Sequence, residues 1–174
     1  DVAILGAGSA SLFALREIKK VTNNFVLIDP SPLGTTCARV GCMPSKILVQ
    51  AANDFHNRMK FEKQGIKGGE RLSVDRQKLL KYVRSQRDHF VGFLMKLIEE
   101  NKDHLISERA EFKSTNVLKV GSNEIQAQKI IIATGSRPKM LPEWKQFGDQ
   151  VFTSNEIFEL NDFPDRIAVL GLGA

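Results

Sequence analysis

The chain has 174 residues, 42% of them apolar and 26% charged, with 13 glycines. That composition excludes a disordered or collagen-like chain and suits one domain with room for a piece of a second. No run approaches the ~20 apolar residues of a membrane-spanning helix, so a soluble chain with no membrane partner is expected. The net charge of +5 comes from 25 basic and 20 acidic residues that are spread along the sequence, so nucleic acid is not an expected partner.

Val2 to Leu5 reads as a short buried strand that stops at Gly6. A helical pattern follows through Leu12, Leu15 and Ile18. Phe25 to Ile28 reads as the next buried strand and ends in Asp29, after which Pro30, Pro32 and Gly34 break regular structure. Gly6-x-Gly8-x-x-Ser11 between these strands has the spacing of a dinucleotide-binding turn. Its first glycine allows the tight turn, its second lets backbone approach a pyrophosphate, and the helix N-terminus offers N–H groups to the phosphates. Ser11 stands where a third glycine is usual. Asp29 lies 18 residues beyond it, near the ~20 expected for a ribose contact. An incidental glycine-rich turn is the alternative.

Cys37 and Cys42 are the only cysteines, too few for a secreted disulfide framework. Five residues apart in an ideal helix, their Cα atoms would be about 8–9 Å apart. A disulfide needs roughly 4.4–6.8 Å, so a bonded pair requires a departure from helix between them. Gly41 permits one. A helix starting near Met43 tolerates Pro44 in its first turn and places Cys42 at its N-terminus, where a thiolate is favoured. Arg39 and Lys46 add positive charge nearby. Two unrelated buried thiols, or half of a metal site, remain alternatives. The only histidines, His56, His89 and His104, are scattered along predicted helices, so no metal is assigned.

The helix begun near Met43 is predicted to run to about Met59, and Gly65, Gly68 and Gly69 mark a loop. A second helix is predicted from about Ser73 to Asn101, about 40 Å long, with an apolar stripe from Leu79 to Ile98. Leu105 to Phe112, Asn116 to Val120 and Glu124 to Gln126 read as short strands around a Gly121-Ser122-Asn123 turn. Lys129 to Ala133 reads as a buried strand ending at Thr134-Gly135-Ser136, and Arg137 to Gly148 as a connection. Ile167 to Leu170 then runs into Gly171-Leu172-Gly173, repeating strand and Gly-x-Gly 165 residues after Gly6.

The expected architecture is therefore α/β. Residues 1–165 would form a Rossmann-like domain with a parallel central sheet, a long helical pair and a small β excursion. Residues 166–174 would open a truncated second nucleotide-binding domain.

The run Gly34-Thr35-Thr36-Cys37-Ala38-Arg39-Val40-Gly41-Cys42-Met43-Pro44-Ser45-Lys46, taken with these flanking motifs, resembles the redox-disulfide segment of the class I pyridine nucleotide–disulfide oxidoreductases. Its Pro-Ser-Lys ending is most similar to the dihydrolipoyl dehydrogenase branch. The resemblance implies FAD in the first unit and NAD or NADP in the second. It implies a pyrophosphate loop at Gly6, Gly8, Ser9 and Ala10, a ribose contact at Asp29 and an adenine contact at Ala110. Thr36, Lys46, Thr134, Gly135 and Ser136 would line the rest of the cofactor. Cys42 would be the flavin-side thiol, Cys37 the thiol that exchanges with substrate, and Lys46 the charge beside the flavin.

The implied substrate is a small dithiol or disulfide, with a lipoyl-bearing protein as partner and a homodimeric parent. The same family contains NAD(P)H-driven disulfide and mercuric reductases, which are the alternative. The implied acid–base His and Glu lie outside residues 1–174, so this chain alone is expected not to complete NAD-linked turnover, and a catalytically incomplete FAD-binding module is the further alternative for it. The sequence departs from the family at Thr35, where Gly is usual, and at Ala38-Arg39 between the cysteines. The expected compartment is the cytoplasm. An organellar matrix stays open, since the sequence begins at Asp1 and a removed leader would not be visible.

Overall fold

The computed structural model describes residues 1–171. In chain order its main elements are β1 (Val2–Leu5), α1 (Ser9–Ile18), β2 (Phe25–Ile28), α2 (Thr36–Val40), α3 (Cys42–His56) and α4 (Arg76–Glu99). They continue as β3 (Leu105–Ile106), β4 (Ala110–Ser114), β5 (Val117–Val120), β6 (Asn123–Gln126) and β7 (Lys129–Ile132). Four strands make a parallel sheet in the order β3-β2-β1-β7, and three make an antiparallel sheet in the order β4-β5-β6.

The parallel strands are nearly continuous apolar runs because both of their faces are covered. Side chains alternate across the sheet with a period of two. Ala3, Leu5 and Ile28 point to one side and pack with Leu118, Val120 and Ala127 of the antiparallel sheet and its exit. Ile4, Phe25 and Leu27 point to the other side and pack with Leu15 of α1. Helices α3 and α4 pack against each other, and both pack against α2. Asn101 joins the far ends of α1 and α4, since its Oδ1 accepts from Lys19 Nζ at 2.9 Å and its Nδ2 donates to the Leu97 carbonyl at 2.8 Å.

Three expectations change. The single strand expected from Leu105 to Phe112 is two strands in different sheets: β3 pairs in parallel with β2, whereas β4 pairs antiparallel with β5. Residues 107–109 carry the chain from one layer to the other. Helix α4 starts at Arg76 rather than Ser73, because the Asp75 carboxylate caps it by accepting from the Lys78 N–H at 2.9 Å. Ile167 to Leu170 is not a strand. No described strand lies beside it to take its backbone groups, and Val169 and Leu170 are 73% and 70% exposed. Gly173 lies outside the described residues.

The segment before it is anchored to α4. Phe158 is buried, and Arg84 Nη1 donates to the carbonyls of Phe158 and Leu160 at 3.0 and 2.9 Å. Arg87 pairs with Glu159, and Arg76 pairs with Asp162 and Asp165. The Arg76 pairs are exposed and add little stability, so the buried phenyl ring and the carbonyl clamp carry the attachment. Among the described residues no helix is long and apolar enough to cross a membrane.

Leu118 is fully buried where the two sheets meet. Leu118→Ala should lower the unfolding free energy by about 3 kcal/mol in urea titration. Phe112→Ala, at a side chain 50% exposed on the same antiparallel sheet, should cost under about 1 kcal/mol.

Candidate functional site

The carboxyl ends of the parallel strands meet at one edge, because Leu5 is in register with Ile28 on one side and Ile132 on the other. β1 therefore delivers Gly6, β2 delivers Asp29 and β7 delivers Thr134 to the same rim. The chain order reverses at β1, between β2 and β7, which is where open α/β sheets bind ligands.

Gly6 has φ +107°, and a Cβ there would run into the Ala133 carbonyl, whose carbon would be 2.9 Å away. The turn is locked by the Gly6 N–H donating to Ile28 O at 2.8 Å and the Ala133 N–H donating to Leu5 O at 2.9 Å. Gly8 differs. Its φ is −81°, and a Cβ there would meet no atom within 4 Å. Nothing inside the protein requires glycine at that position, so the open face is room for an outside group. Gly8 is also the N-cap of α1 and supplies no side-chain cap. The N–H groups of Ser9 and Ala10 at this first turn, with the positive end of the helix dipole, suit an anion. Ser11 occupies the third motif position completely buried, and its Oγ has no hydrogen-bond partner.

The Asp29 carboxylate sits against this loop. One oxygen accepts from the Ala7 N–H at 2.6 Å and the other from the Ser31 N–H at 2.8 Å. Asp29 thus holds the loop in shape. Thr134, Gly135 and Ser136 form an exposed segment just after β7, with Gly135 at φ +70°. Ala110 opens β4, half-buried against the cluster containing Leu5 and Ile28, on the opposite side of the sheet from α1.

The thiols lie on two helices rather than one. α2 carries Thr36 and Cys37, and α3 begins at Cys42. Gly41 separates them with φ −125° and ψ −115°, well outside the helical region. A Cβ at Gly41 would approach Thr36 O to 3.1 Å and Cys37 Cα to 3.2 Å, so the chain doubles back through a space that only glycine fills comfortably. The separation this break closes is the one an unbroken helix would leave open. Both cysteines are free thiols, Cys37 half-buried and Cys42 exposed. The hydrogen bond to the Cys42 sulfur, with burial, pushes the Cys37 thiol above its usual range, and the Lys46 charge pulls the other way. Lys46 is exposed one turn past Cys42.

Arg39 is not aimed at the thiols. Its guanidinium donates to the Pro32 carbonyl at 3.1 Å and its stem lies against Gly34, so it braces the loop before α2.

Ser9, Thr35, Cys37, Ala38 and Met43 line one end of an apolar groove of about 750 Å³ between α1 and α4. The nucleotide-type turn and the thiol segment are therefore neighbours. Sequence reasoning missed Thr35 as a site residue. It is buried and has φ +64°, and the only signal was the departure from glycine at that position. The three histidines do not converge. His104 stacks on Phe25 at 4.2 Å and His89 packs edge-on to Phe93, while His56 ends α3. Among the described residues no group of three His, Cys, Asp or Glu side chains could hold a metal ion.

Residues 1–174 match the family described as pyridine nucleotide-disulphide oxidoreductase. The chain is 29% identical over 99% of its length to a dihydrolipoyl dehydrogenase of Bacillus subtilis, and 31% identical over 99% to one of Staphylococcus aureus. A Haloferax volcanii dihydrolipoyl dehydrogenase is 30% identical. The chain spans about 37–38% of the length of these relatives. A solved HOCl-induced flavoprotein disulfide reductase from Escherichia coli, in a Cu(II) complex, shares the fold with a TM-score of 0.65 at 23% identity, over 93% of this chain and 34% of that one.

Two outcomes follow from the geometry. Gly6→Ala should cost at least about 2 kcal/mol in urea unfolding, whereas Gly8→Ala should stay within about 0.5 kcal/mol of the parent. In alkylation of Cys37 by iodoacetamide, the rate–pH midpoint should fall in Cys42→Ala, which removes the hydrogen bond that favours the protonated thiol. It should rise in Lys46→Ala, which removes the charge that favours the thiolate.

Proposed function

This chain belongs to the pyridine nucleotide-disulphide oxidoreductase family of enzymes, which use FAD and a pyridine nucleotide, and from that premise we propose that it is the FAD-binding, thiol-bearing part of a dihydrolipoyl dehydrogenase. The observation that carries the reading is the break at Gly41, which folds the short helix bearing Cys37 back on the helix that Cys42 begins, beside a nucleotide-type turn whose Ser9 lines the same groove as Cys37. The named relatives favour oxidation of dihydrolipoyl groups with NAD over the reverse, NAD(P)H-driven reduction of a disulfide or of mercuric ion.

The residues present fit FAD. Gly8 leaves open the face that a pyrophosphate would fill, with Ser9 and Ala10 N–H groups beside it. Asp29 would take the adenosine ribose, and Ala110 the adenine. Thr36, Cys42, Lys46, Thr134, Gly135 and Ser136 would line the remainder. When bound, FAD supplies a two-electron acceptor between the thiol pair and the pyridine nucleotide.

The cysteines do the exchange. A substrate thiolate attacks Cys37 Sγ of the Cys37–Cys42 disulfide, that S–S bond breaks, and Cys42 leaves as a thiolate. The second substrate thiol, once deprotonated, attacks the substrate sulfur in the mixed disulfide, and Cys37 leaves and takes up a proton. The substrate is then a disulfide and the cysteine pair is reduced by two electrons. In the reduced pair the hydrogen bond to Cys42 and burial favour the protonated Cys37 thiol, the member proposed to exchange with substrate. Residues 166–174, with Gly171 and Gly173, are proposed to open the pyridine-nucleotide unit. The rest of that unit and the acid–base pair would belong to a longer, homodimeric parent, so this chain alone would bind FAD without completing NAD-linked turnover. Lipoyl-bearing proteins are the proposed partners and the cytoplasm the proposed compartment.

The test is to add FAD to the purified chain, desalt it and record the visible spectrum. Retained flavin with a shifted spectrum is expected, and Gly8→Val should lose about tenfold or more in affinity while staying folded. Within the loaded, reduced protein, Cys42→Ser should change the flavin spectrum more than Cys37→Ser. A colourless desalted protein, or two cysteine variants with equal and negligible effects, would count against this site.

A further inference from the structure

Thr35 stands at φ +64° and ψ 145°, the one described non-glycine residue with positive φ. That region of backbone space is essentially reserved for glycine. Thr35 is buried, and it follows Gly34, at φ +107°, where an added Cβ would come within 2.8 Å of Val91 of α4, so two successive residues take glycine-type backbone in a confined space. A β-branched residue here is costly, and its side chain gives something back. The Thr35 Oγ1 accepts from the Ala38 N–H at 3.2 Å, and the Thr35 carbonyl accepts from the Arg39 N–H at 3.0 Å. Both bonds close the first turn of α2, the turn that carries Cys37.

We propose that Thr35 is a positioning residue for the thiol pair: its side-chain cap, held in place by a glycine-type backbone, fixes the turn that aims Cys37 at Cys42. α2 is only five residues long, and Gly41 breaks the chain at its other end. The orientation of Cys37 therefore depends on how the first turn is closed, with little further helix to correct it. Glycine would adopt the same backbone without strain but would leave the Ala38 N–H uncapped. Threonine trades stability for a fixed thiol.

The proposal rests on the reading of Cys37 and Cys42 as a redox pair, and its test uses two thiol measurements so that the two ideas can fail separately. The first is the equilibrium of the pair with glutathione, in which two cysteine thiols and one glutathione disulfide give the Cys37–Cys42 disulfide and two glutathione thiols. The second is the pH profile of Cys37 alkylation, which needs no disulfide. The charged or titratable side chains that act on Cys37 are Cys42 and Lys46, and neither is altered by these substitutions.

Thr35→Gly and Thr35→Ala should each shift the glutathione equilibrium toward the dithiol by about three- to tenfold, the size of a lost N-cap. Both should also lower the Cys37 midpoint, as its bond to Cys42 loosens. Thr35→Ser keeps the cap and should match the parent in both readouts. Unfolding midpoints in urea should group differently, with Thr35→Gly at or above the parent and Thr35→Ala below it. A Thr35→Gly protein that matches the parent in both thiol readouts overturns the proposal, as does a thiol response that follows the stability order. If the parent forms no disulfide in the glutathione buffer, the redox-pair reading fails, and the alkylation profiles still decide the role of Thr35.

Discussion

The chain can leave β1 where it does only because no side chain stands between Gly6 and the carbonyl of Ala133. That close approach holds the carboxyl ends of β1 and β7 together at the point where the sheet order reverses. The Ala7 N–H, turned by the same glycine, reaches the Asp29 carboxylate and ties in the end of β2. One absent Cβ thus sets the position of three segments that contribute to the candidate nucleotide site. Gly8, two residues on, is under no such internal constraint, and this separates the glycine needed for folding from the one whose open face suits a ligand.

The thiol segment follows a related logic. A helix that ran unbroken through residues 37–42 would hold the cysteines too far apart for exchange. Gly41 lets α2 and α3 fold against each other, and burial of Ala38 and Pro44 fixes that arrangement. The apposition then has a chemical consequence, because each thiol becomes part of the other's surroundings and Cys37 holds its proton more tightly. Thr35 and Arg39 act at the approach to α2, the first by capping it and the second by bracing the loop through the Pro32 carbonyl.

Away from the site, α4 organises the far side of the molecule. It packs against α2 and α3, leaves no room beside Val91 for a side chain at Gly34, and clamps the carbonyls of Phe158 and Leu160 through Arg84. The thiol segment and the segment leading toward residue 171 are therefore held by the same helix.

Much of this was legible before any coordinates. Apolar runs such as Val2–Leu5 and Phe25–Ile28 declare buried strands because both faces of a parallel sheet are covered. Gly6, Gly8 and Asp29 declare a turn by their spacing, since backbone geometry and reach depend on local sequence alone. The two cysteines around Gly41 likewise carry their own break. What local sequence does not encode is which neighbour an element meets. The division of Leu105 to Phe112 between two sheets depends on β2 and β5 waiting at different places. Ile167 to Leu170 has the composition of a strand, yet it has no described partner to pair with. The direction of the Arg39 side chain, toward the Pro32 carbonyl and away from the thiols, and the confinement of Gly34 beside Val91 of α4 also appear only once the chain is folded. The sequence by itself determined β1, β2, the turn between them and the thiol pair, because each is set by bonds within a few residues. Only the tertiary structure decided how they face one another, because that depends on which surfaces remain to be buried once the chain has folded.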